Sequence, residues 1–173
     1  MKHIDNMSEH DSSSARVWST SQQISELVSK YVFTLDNLDT PQISQQGDVW
    51  YESIFTSDVK LSFPIGGYLG TNGLAAFHAV AKGRFESTFH MSTDHVVAAQ
   101  ATTATATATA TATVMAFHRH RQETLDARGH SATPIFRVGG RYDISAIETP
   151  DGWRISALAF RVEWSEGDEP DRS

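Results

Sequence analysis

The stretch "GGRYDISAIETPDGWRIS", residues 139–156, contains a turn signal between two strand-like segments. Its segment "ETPDG" combines Pro, Asp and Gly, which are residues that tight turns prefer. On either side the sequence is strand-like, over about residues 134–148 and 153–164. The stretch therefore predicts two adjacent strands that run antiparallel to each other.

Two more strand-like segments come earlier, over about residues 88–99 and 102–121, and "RGHSATP" marks a turn after the second. The second segment begins in "ATTATATATATATV", residues 101–114, which looks like low complexity. Thr is β-branched and favours strands, so we interpret the run as a strand with Thr on one face and Ala on the other. Strands usually have roughly 3–10 residues, so this one must bend, bulge or start late. The small Ala face lets a helix or a ligand approach closely.

The N-terminal half has helical patterns. Thr20 or Ser21 can cap a first helix, which ends before Pro41. Gly47 weakens a second helix, which can break into two pieces, and Thr71 can cap a third over "NGLAAFHAVAKGRFE". The apolar residues of the first helix recur at helical spacing: Ile24, Leu27, Val28, Tyr31, Leu35 and Leu38. Two short strands, "DVKLSF" and one within "PIGGYLG", lie between the second and third helices.

The order of these elements predicts an α+β fold. We expect a curved antiparallel sheet with three helices of the N-terminal half packed into its concave side. A pocket between the helices and the strands is a usual place for a small-molecule site. The polar ends, residues 1–17 and 167–173, are predicted to be mobile tails, which leaves a single domain over residues 18–166.

Composition excludes several classes of function. The 173 residues carry a formal charge of −7 and no basic stripe, which argues against nucleic acid as the main partner. The absence of cysteine removes disulfides, thiolate metal sites and cysteine nucleophiles. The chain has neither an apolar run of the ~20 residues that a membrane span requires nor the pattern of a signal peptide. We therefore expect a cytoplasmic protein.

Taken together, "YVFTLDNLD", "IFTSDVKLSFPIGGYLG", "FHMSTDH" and "GGRYDISAIETPDGWRIS" resemble the SnoaL-like branch of the NTF2-like superfamily. The resemblance covers nearly the whole domain and implies a cone-shaped α+β fold, commonly a homodimer or homotrimer. At its polar positions the chain looks most similar to scytalone dehydratase and hexachlorocyclohexane dehydrochlorinase. Both use an Asp late in the first helix and a His on the strand after the third helix. The matching residues here are Asp36 and His90.

The resemblance thus implies that His90 is a general base oriented by Asp36, since imidazole titrates near neutral pH. His118 or His120 matches a second active-site histidine, and we prefer His118 because it lies nearer the middle of its strand. Tyr31 matches the tyrosine that ketosteroid isomerase uses as an oxyanion donor. From the residues alone, the alternatives are purely structural roles. Asp36 would help to end its helix, the histidines would lie in the core or in solvent, and Tyr31 would be a core residue.

A metal site is a weaker interpretation. On a regular strand His90 and His95 point to opposite faces, so "HMSTDH" cannot close on one ion, and His95 is expected to be structural. His118 and His120 share a face, but two histidines alone are weak support for a metal. We therefore expect no metal and no cofactor.

Aromatic side chains are candidates to bind the substrate by lining an apolar cavity, although for any one of them the sequence favours ordinary core packing. They are Tyr51, Phe55, Phe63, Phe77, Phe136, Phe160 and Trp164. The chain also departs from its relatives. Phe63 stands where ketosteroid isomerase has its catalytic Asp, and Leu35 and Phe63 stand where scytalone dehydratase has two tyrosines. The dyad is thus retained while carbonyl activation is either changed or absent, which argues against the same dehydration substrate.

The resulting hypothesis is a cofactor-free proton-transfer enzyme, of the lyase or dehydratase type, acting on a small, mostly apolar, cyclic metabolite. The same dyad would serve an isomerase or a polyketide-cyclase-type enzyme. Two rivals remain: a non-catalytic ligand-binding or assembly protein, and a small subunit of a larger oxygenase. A hydrogen-bonded Asp36–His90 pair in an open pocket favours the enzyme, and a filled cone favours the binding protein.

Overall fold

The computed structural model describes the backbone of residues 6–101 and 106–170 and the side chains of residues 19–100 and 106–170. The helices are α1 (Asn6–Asp36), α2 (Pro41–Ser44), α3 (Asp48–Glu52), α4 (Leu74–Gly83) and α5 (Gln122–Arg128). The strands are β1 (Phe55–Phe63), β2 (Gly66–Leu69), β3 (Phe85–Ala101), β4 (Ala106–His120), β5 (Ile135–Thr149) and β6 (Gly152–Glu166). The predicted α+β class is confirmed.

The six strands form one curved, open sheet in the order β2-β1-β6-β5-β4-β3. The long strands β3 to β6 pair antiparallel, as the turns between them require. The pairing of β1 with β6 is parallel, which the expectation of an antiparallel sheet did not include. These two strands are far apart in sequence, so no tight turn fixes their relative direction.

The alternating run behaves as the sequence predicts. In β4 the even-numbered positions from Ala108 to Ala116 are buried, whereas Thr107, Thr109 and Thr111 are exposed. Ala108, Ala110 and Ala112 lie in the same core cluster as the buried stripe of α1. Small side chains on this face therefore allow close packing against the concave side of the sheet.

The helices agree with the prediction in outline and differ at their ends. Gly47, with φ of 54°, separates α2 from α3, so the second helix is indeed broken. Thr71 does not cap α4; the Asp48 carboxylate accepts hydrogen bonds from the backbone N–H groups of Gly73 and Ala75 instead. A cap supplied by another helix is a tertiary contact that local sequence rules do not describe.

Two helices differ from the prediction, one at the N-terminal end and one between β4 and β5. Helix α1 begins at Asn6 rather than at Thr20 or Ser21, and α5 was not predicted at all. The mobility of residues 1–17 and 167–173 stays a prediction, and residues 1–5 and 171–173 lie outside the described residues. None of the helices described has the length and apolarity needed to cross a membrane.

Candidate active site

A cavity of about 830 Å³ lies between the concave face of the sheet and helices α1 and α4. Its volume falls within the range of ligand sites for small molecules. Three of the four predicted catalytic residues line the cavity, Tyr31, His90 and His118, whereas Asp36 does not. Aromatic and aliphatic residues complete much of the wall.

Asp36, the last residue of α1, reaches the start of β3. Its Oδ1 lies 2.7 Å from His90 Nδ1 and accepts a hydrogen bond of 2.8 Å from the Thr88 hydroxyl. Its Oδ2 accepts the backbone N–H of His90 at 2.7 Å. The side chains of His90 and Asp36 are only 12% and 17% exposed, so these contacts are shielded from solvent. Three donors thus hold both carboxylate oxygens.

The charge on Asp36 determines which nitrogen of His90 carries the proton. Burial alone would raise the pKa of the Asp36 carboxyl, but the hydrogen bonds from His90 and Thr88 outweigh it and hold that pKa below its usual value. At neutral pH the carboxylate is therefore an acceptor only, and His90 Nδ1 must be the donor. The lone pair of a neutral imidazole then lies on Nε2, which has no hydrogen-bond partner among the described residues.

His118 lies beside His90 because of the register of β3 and β4. Thr88 pairs with His118 and His90 pairs with Ala116, so the two histidines are diagonal neighbours on the inner face. Their ring centroids are 5.2 Å apart and the planes are nearly perpendicular, at 87°. Burial, with a further contribution from His90, lowers the pKa of His118 to about 4, which outweighs the opposing effects of the Phe136 backbone and of Asp36. His118 is therefore neutral at pH 7.

His120 does not line the cavity. It is 2% exposed, and its Nε2 lies 2.7 Å from the backbone carbonyl of Asp168. Of this pair, only His118 lines the cavity, and its role as an active-site histidine stays a prediction. Within the described part of the chain, no group of three or more His, Asp or Glu side chains is arranged to hold a metal ion.

The prediction that His95 faces away from His90 is wrong. A β-bulge follows Thr93, where Asp94 has a φ of 52°. Thr93 and Val96 pair with Thr113 and Thr111, so Asp94 and His95 together oppose Ala112 on the inner face. His95 Nε2 lies 3.1 Å from Ser92 Oγ. The bulge inserts an extra residue, which shifts the alternation that the sequence argument assumed.

The aromatic candidates divide into two groups. Phe63, Phe136 and Phe160 line the cavity. The other four do not: Tyr51 and Phe55 are fully buried in the core, Phe77 packs against Phe63 and Tyr68, and Trp164 lies on the outer face with 43% exposure. Any apolar side chain can pack in a core or line a cavity. The sequence alone therefore does not show which of these aromatic residues line the cavity.

The sequence argument missed several polar residues of the cavity wall, and two of them are almost completely buried. His78 on α4 is 5% exposed, and its Nε2 lies 3.1 Å from the Tyr31 hydroxyl. Tyr142 on β5 is 3% exposed and lies beside Phe160. A signal existed for each: His78 follows Leu74 by four residues on the buried face of a helix, and Tyr142 alternates with the buried Ile144.

With this geometry established, the comparisons with known proteins identify the family. The chain belongs to the SnoaL-like domain family, whose model matches residues 17–159. No protein of curated function matches it.

Solved structures share the fold at low sequence identity. A candidate scytalone dehydratase from Novosphingobium aromaticivorans is 16% identical over 95% of this chain and 94% of its own, with a TM-score of 0.62. Hexachlorocyclohexane dehydrochlorinase LinA-type3 from Novosphingobium barchaimii is 16% identical, over 91% and 93%, with a TM-score of 0.64. An NTF2-like superfamily protein from Salmonella enterica is 17% identical, over 88% and 94%, with a TM-score of 0.60.

Proposed function

We propose that this protein is a cofactor-free enzyme that transfers a proton in an elimination on a small, mostly apolar, cyclic metabolite. The observation that carries the proposal is the 2.7 Å contact between Asp36 and His90 Nδ1, beside a cavity that His90 also lines. A carboxylate on one ring nitrogen fixes the tautomer and stabilises the imidazolium that forms when the other nitrogen takes a proton. The names of similar structures, a dehydratase and a dehydrochlorinase, are consistent with elimination.

The proton transfer can be written for a β-hydroxy carbonyl compound. His90 Nε2 takes the proton from the carbon next to the carbonyl, and the electron pair of that C–H bond moves to give an enolate. The electron pair of the enolate then forms the C=C bond between the α- and β-carbons, and the C–O bond of the β-hydroxyl breaks. The hydroxyl leaves as water with the proton that His90 carries, which restores the neutral dyad.

His118 would act as a neutral partner in this reaction. Because burial holds its pKa at about 4, it does not compete with His90 for the abstracted proton at pH 7. Its position 5.2 Å from the His90 ring would place it beside the leaving group, to which an imidazole N–H can donate a hydrogen bond. Phe63, Phe136 and Phe160 would hold the apolar ring of the substrate.

The test is a screen of cyclic β-hydroxy ketones in D₂O, followed by ultraviolet absorbance for a new conjugated C=C bond and by NMR for deuterium uptake. We expect turnover that the His90→Ala variant loses and that the matched His130→Ala variant, which changes an exposed histidine, keeps. Deuterium uptake without loss of water would indicate an isomerase or cyclase with the same dyad. Tight binding with neither signal would favour a binding protein and contradict the proposal.

The proposed homodimer or homotrimer is supported by the outer face of the sheet. Phe89 and Met91 on β3 are 57% and 40% exposed, and they pair with Phe117 and Met115 on β4. Trp164 continues this outer apolar patch across β5 to β6. Exposed apolar groups of this kind are typical of an interface, and a second copy of the chain would cover them.

A further inference from the structure

Arg84 is a positively charged residue of the cavity wall that has no part in the proton transfer described above. It lies between the end of α4 and the start of β3, six residues before His90 in the sequence, and it lines the same cavity. The residue is partly buried. A guanidinium group keeps its positive charge in proteins, so removing it from water without a partner costs free energy.

The other partly buried lysines and arginines of the described residues all have an acceptor in the protein. Lys82, two residues before Arg84, donates to the Asp39 carboxylate at 2.7 Å and to the backbone carbonyl of Asp36 at 2.8 Å. The remaining four donate to a hydroxyl or to a backbone carbonyl: Lys30, Arg121, Arg128 and Arg154.

The side chain of Arg84 differs from these, because no group among the described residues accepts a hydrogen bond or forms an ion pair with it. Lys60 and Arg119 also have no partner in the described part of the chain, but both are exposed, so that water solvates their charges. Arg84 is thus the one partly buried cation, within the residues that the structure describes, whose partner is not supplied by the protein.

A structural role explains the position of Arg84 only in part. Arg84 is the C-cap residue of α4, and a cation near the C-terminus of a helix interacts favourably with the helix dipole. Lys82, in the last turn of α4, already supplies such a charge. A dipole interaction is also available to a side chain in solvent, so it does not require that Arg84 lie in the cavity wall.

The other basic groups of this wall are either paired or neutral. Lys82 is bound to Asp39. Burial, with a contribution from His90, lowers the pKa of His78 to about 4, and the pKa of His118 is lowered in the same way, so both are neutral at pH 7. Glu169 adds a negative charge to the wall. A single available positive charge suits an anion with one charge better than a doubly charged phosphate.

We propose that Arg84 binds a carboxylate of the substrate, on a part of the molecule away from the carbon that loses its proton. The planar guanidinium group presents its N–H donors as a fork that matches the two oxygens of a carboxylate. Arg84 and His90 reach the cavity from different points along the chain, so the two groups contact different ends of a ligand.

This proposal rests on the proposed function and specifies its substrate class. The substrate is then a cyclic β-hydroxy ketone with a carboxylate side chain. Phe63, Phe136 and Phe160 contact its apolar ring, and Arg84 determines which way the ring enters the cavity. A few charged or polar groups in a mostly apolar pocket are the usual means by which a ligand is oriented.

The first test compares the binding of 2-naphthoate with that of its uncharged analogue 2-naphthamide, by isothermal titration calorimetry of the full chain at pH 7. We expect the wild type to bind the naphthoate about tenfold or more tightly than the amide. Arg84→Gln should abolish this preference by weakening the naphthoate alone. Arg84→Lys should retain only part of it, because lysine keeps the charge without the fork.

Arg119→Gln is the matched control, since Arg119 is an exposed arginine that does not line the cavity. It should keep the wild-type preference. Equal binding of the two probes by the wild type would overturn the proposal, as would a preference that is unchanged in Arg84→Gln or in Arg84→Lys. A role of Arg84 in the helix dipole alone would alter urea unfolding without altering the preference.

The second test uses pairs of cyclic β-hydroxy ketones that differ only in a carboxylate side chain. For a pair that is turned over, Arg84→Gln should lower the ratio of kcat/KM for the acid to that for the neutral ketone by about tenfold or more. The change should appear in KM, because a contact away from the reacting carbon contributes equally to the bound substrate and to the transition state.

The results separate the two proposals. Turnover of neutral ketones without any preference for the acids would overturn the role of Arg84 and leave the elimination intact. A preference for naphthoate that depends on Arg84, without turnover of any β-hydroxy ketone, would support the carboxylate site and contradict the proposed elimination. Circular dichroism of each variant confirms that it is folded.

Discussion

The two faces of strands β3 and β4 differ in side-chain size and in surroundings. On the inner face, Ala at alternate positions of β4 leaves room for α1 and for the cavity in which His90 and His118 lie. On the outer face, Thr gives way to Met115 and Phe117, which continue into exposed apolar residues of β3. One period-two pattern thus produces a pocket on one side and a candidate interface on the other.

The largest effect on activity should come from replacing Asp36, whose carboxylate binds His90 on the inner face of β3. We expect Asp36→Asn to lower kcat on the order of 10³-fold or more, because an amide no longer fixes the His90 tautomer or stabilises its cation. Steady-state kinetics on the substrate found in the screen would measure this. Asp39→Asn is the matched control, since the Asp39 side chain is 82% exposed, binds Lys82 rather than a histidine and does not line the cavity. Equal activity of the two variants would contradict the role of the dyad.

The next largest effect should be a loss of folding stability at acid pH, caused by the two buried histidines of the cavity wall. His78 and His118 have pKa values of about 4 when folded, against an ordinary value of 6.5, so the unfolded chain binds protons first as the pH falls. Their contribution to stability is full above pH 6.5 and is lost toward pH 4, at roughly 1.4 kcal/mol per pH unit for each histidine. The lowered pKa of Asp36 acts in the same direction at lower pH.

Urea unfolding at several pH values between 7.5 and 4.5 measures this loss. The His118→Gln variant should have a shallower pH dependence than the wild type, whereas His130→Gln, on an exposed loop, should follow the wild-type curve. Parallel curves for all three proteins would mean that His118 is not held neutral by the fold.

A smaller effect should distinguish the two faces of β4 directly. Ala110 is 5% exposed within the core, so Ala110→Leu should overpack it and lower the free energy of unfolding by about 1–3 kcal/mol. Thr109→Leu adds similar bulk on the exposed face and should change that free energy by less than about 0.5 kcal/mol. Chemical denaturation of both variants measures the difference, which would vanish if the faces were equivalent.

The smallest effect on stability should come from the outer apolar patch. Phe89→Lys and Met91→Lys should change the unfolding free energy of the folded chain by only about 0.5 kcal/mol, yet lower the mass seen by light scattering if a second copy binds there. Leu69→Lys is the control, because Leu69 is 71% exposed on β2, at the opposite end of the sheet. An unchanged mass in the β3 variants would place any self-association elsewhere.

The sequence predicts repeating elements well because their periods are local. The alternation through "ATATATAT", the apolar stripe of α1 and the break at Gly47 each follow from side-chain spacing or backbone freedom. The resemblance to the SnoaL-like family supplied Asp36 and His90, which nothing in the composition distinguishes from a helix end and a core histidine. Alternation failed at His95, since a bulge at Asp94 shifts the faces and no rule of spacing predicts it.

The α+β order of elements and the small and large faces of the sheet can be predicted from the sequence, since both depend on neighbouring residues. Which polar groups meet depends instead on how the whole chain packs. Asp36 and His90 are hydrogen-bonded although they are 54 residues apart in the sequence, and Tyr31 and His78 are 47 residues apart. Such contacts depend on how a helix end and a strand are packed, which sets the distances, the exclusion of water and hence the protonation states of the site.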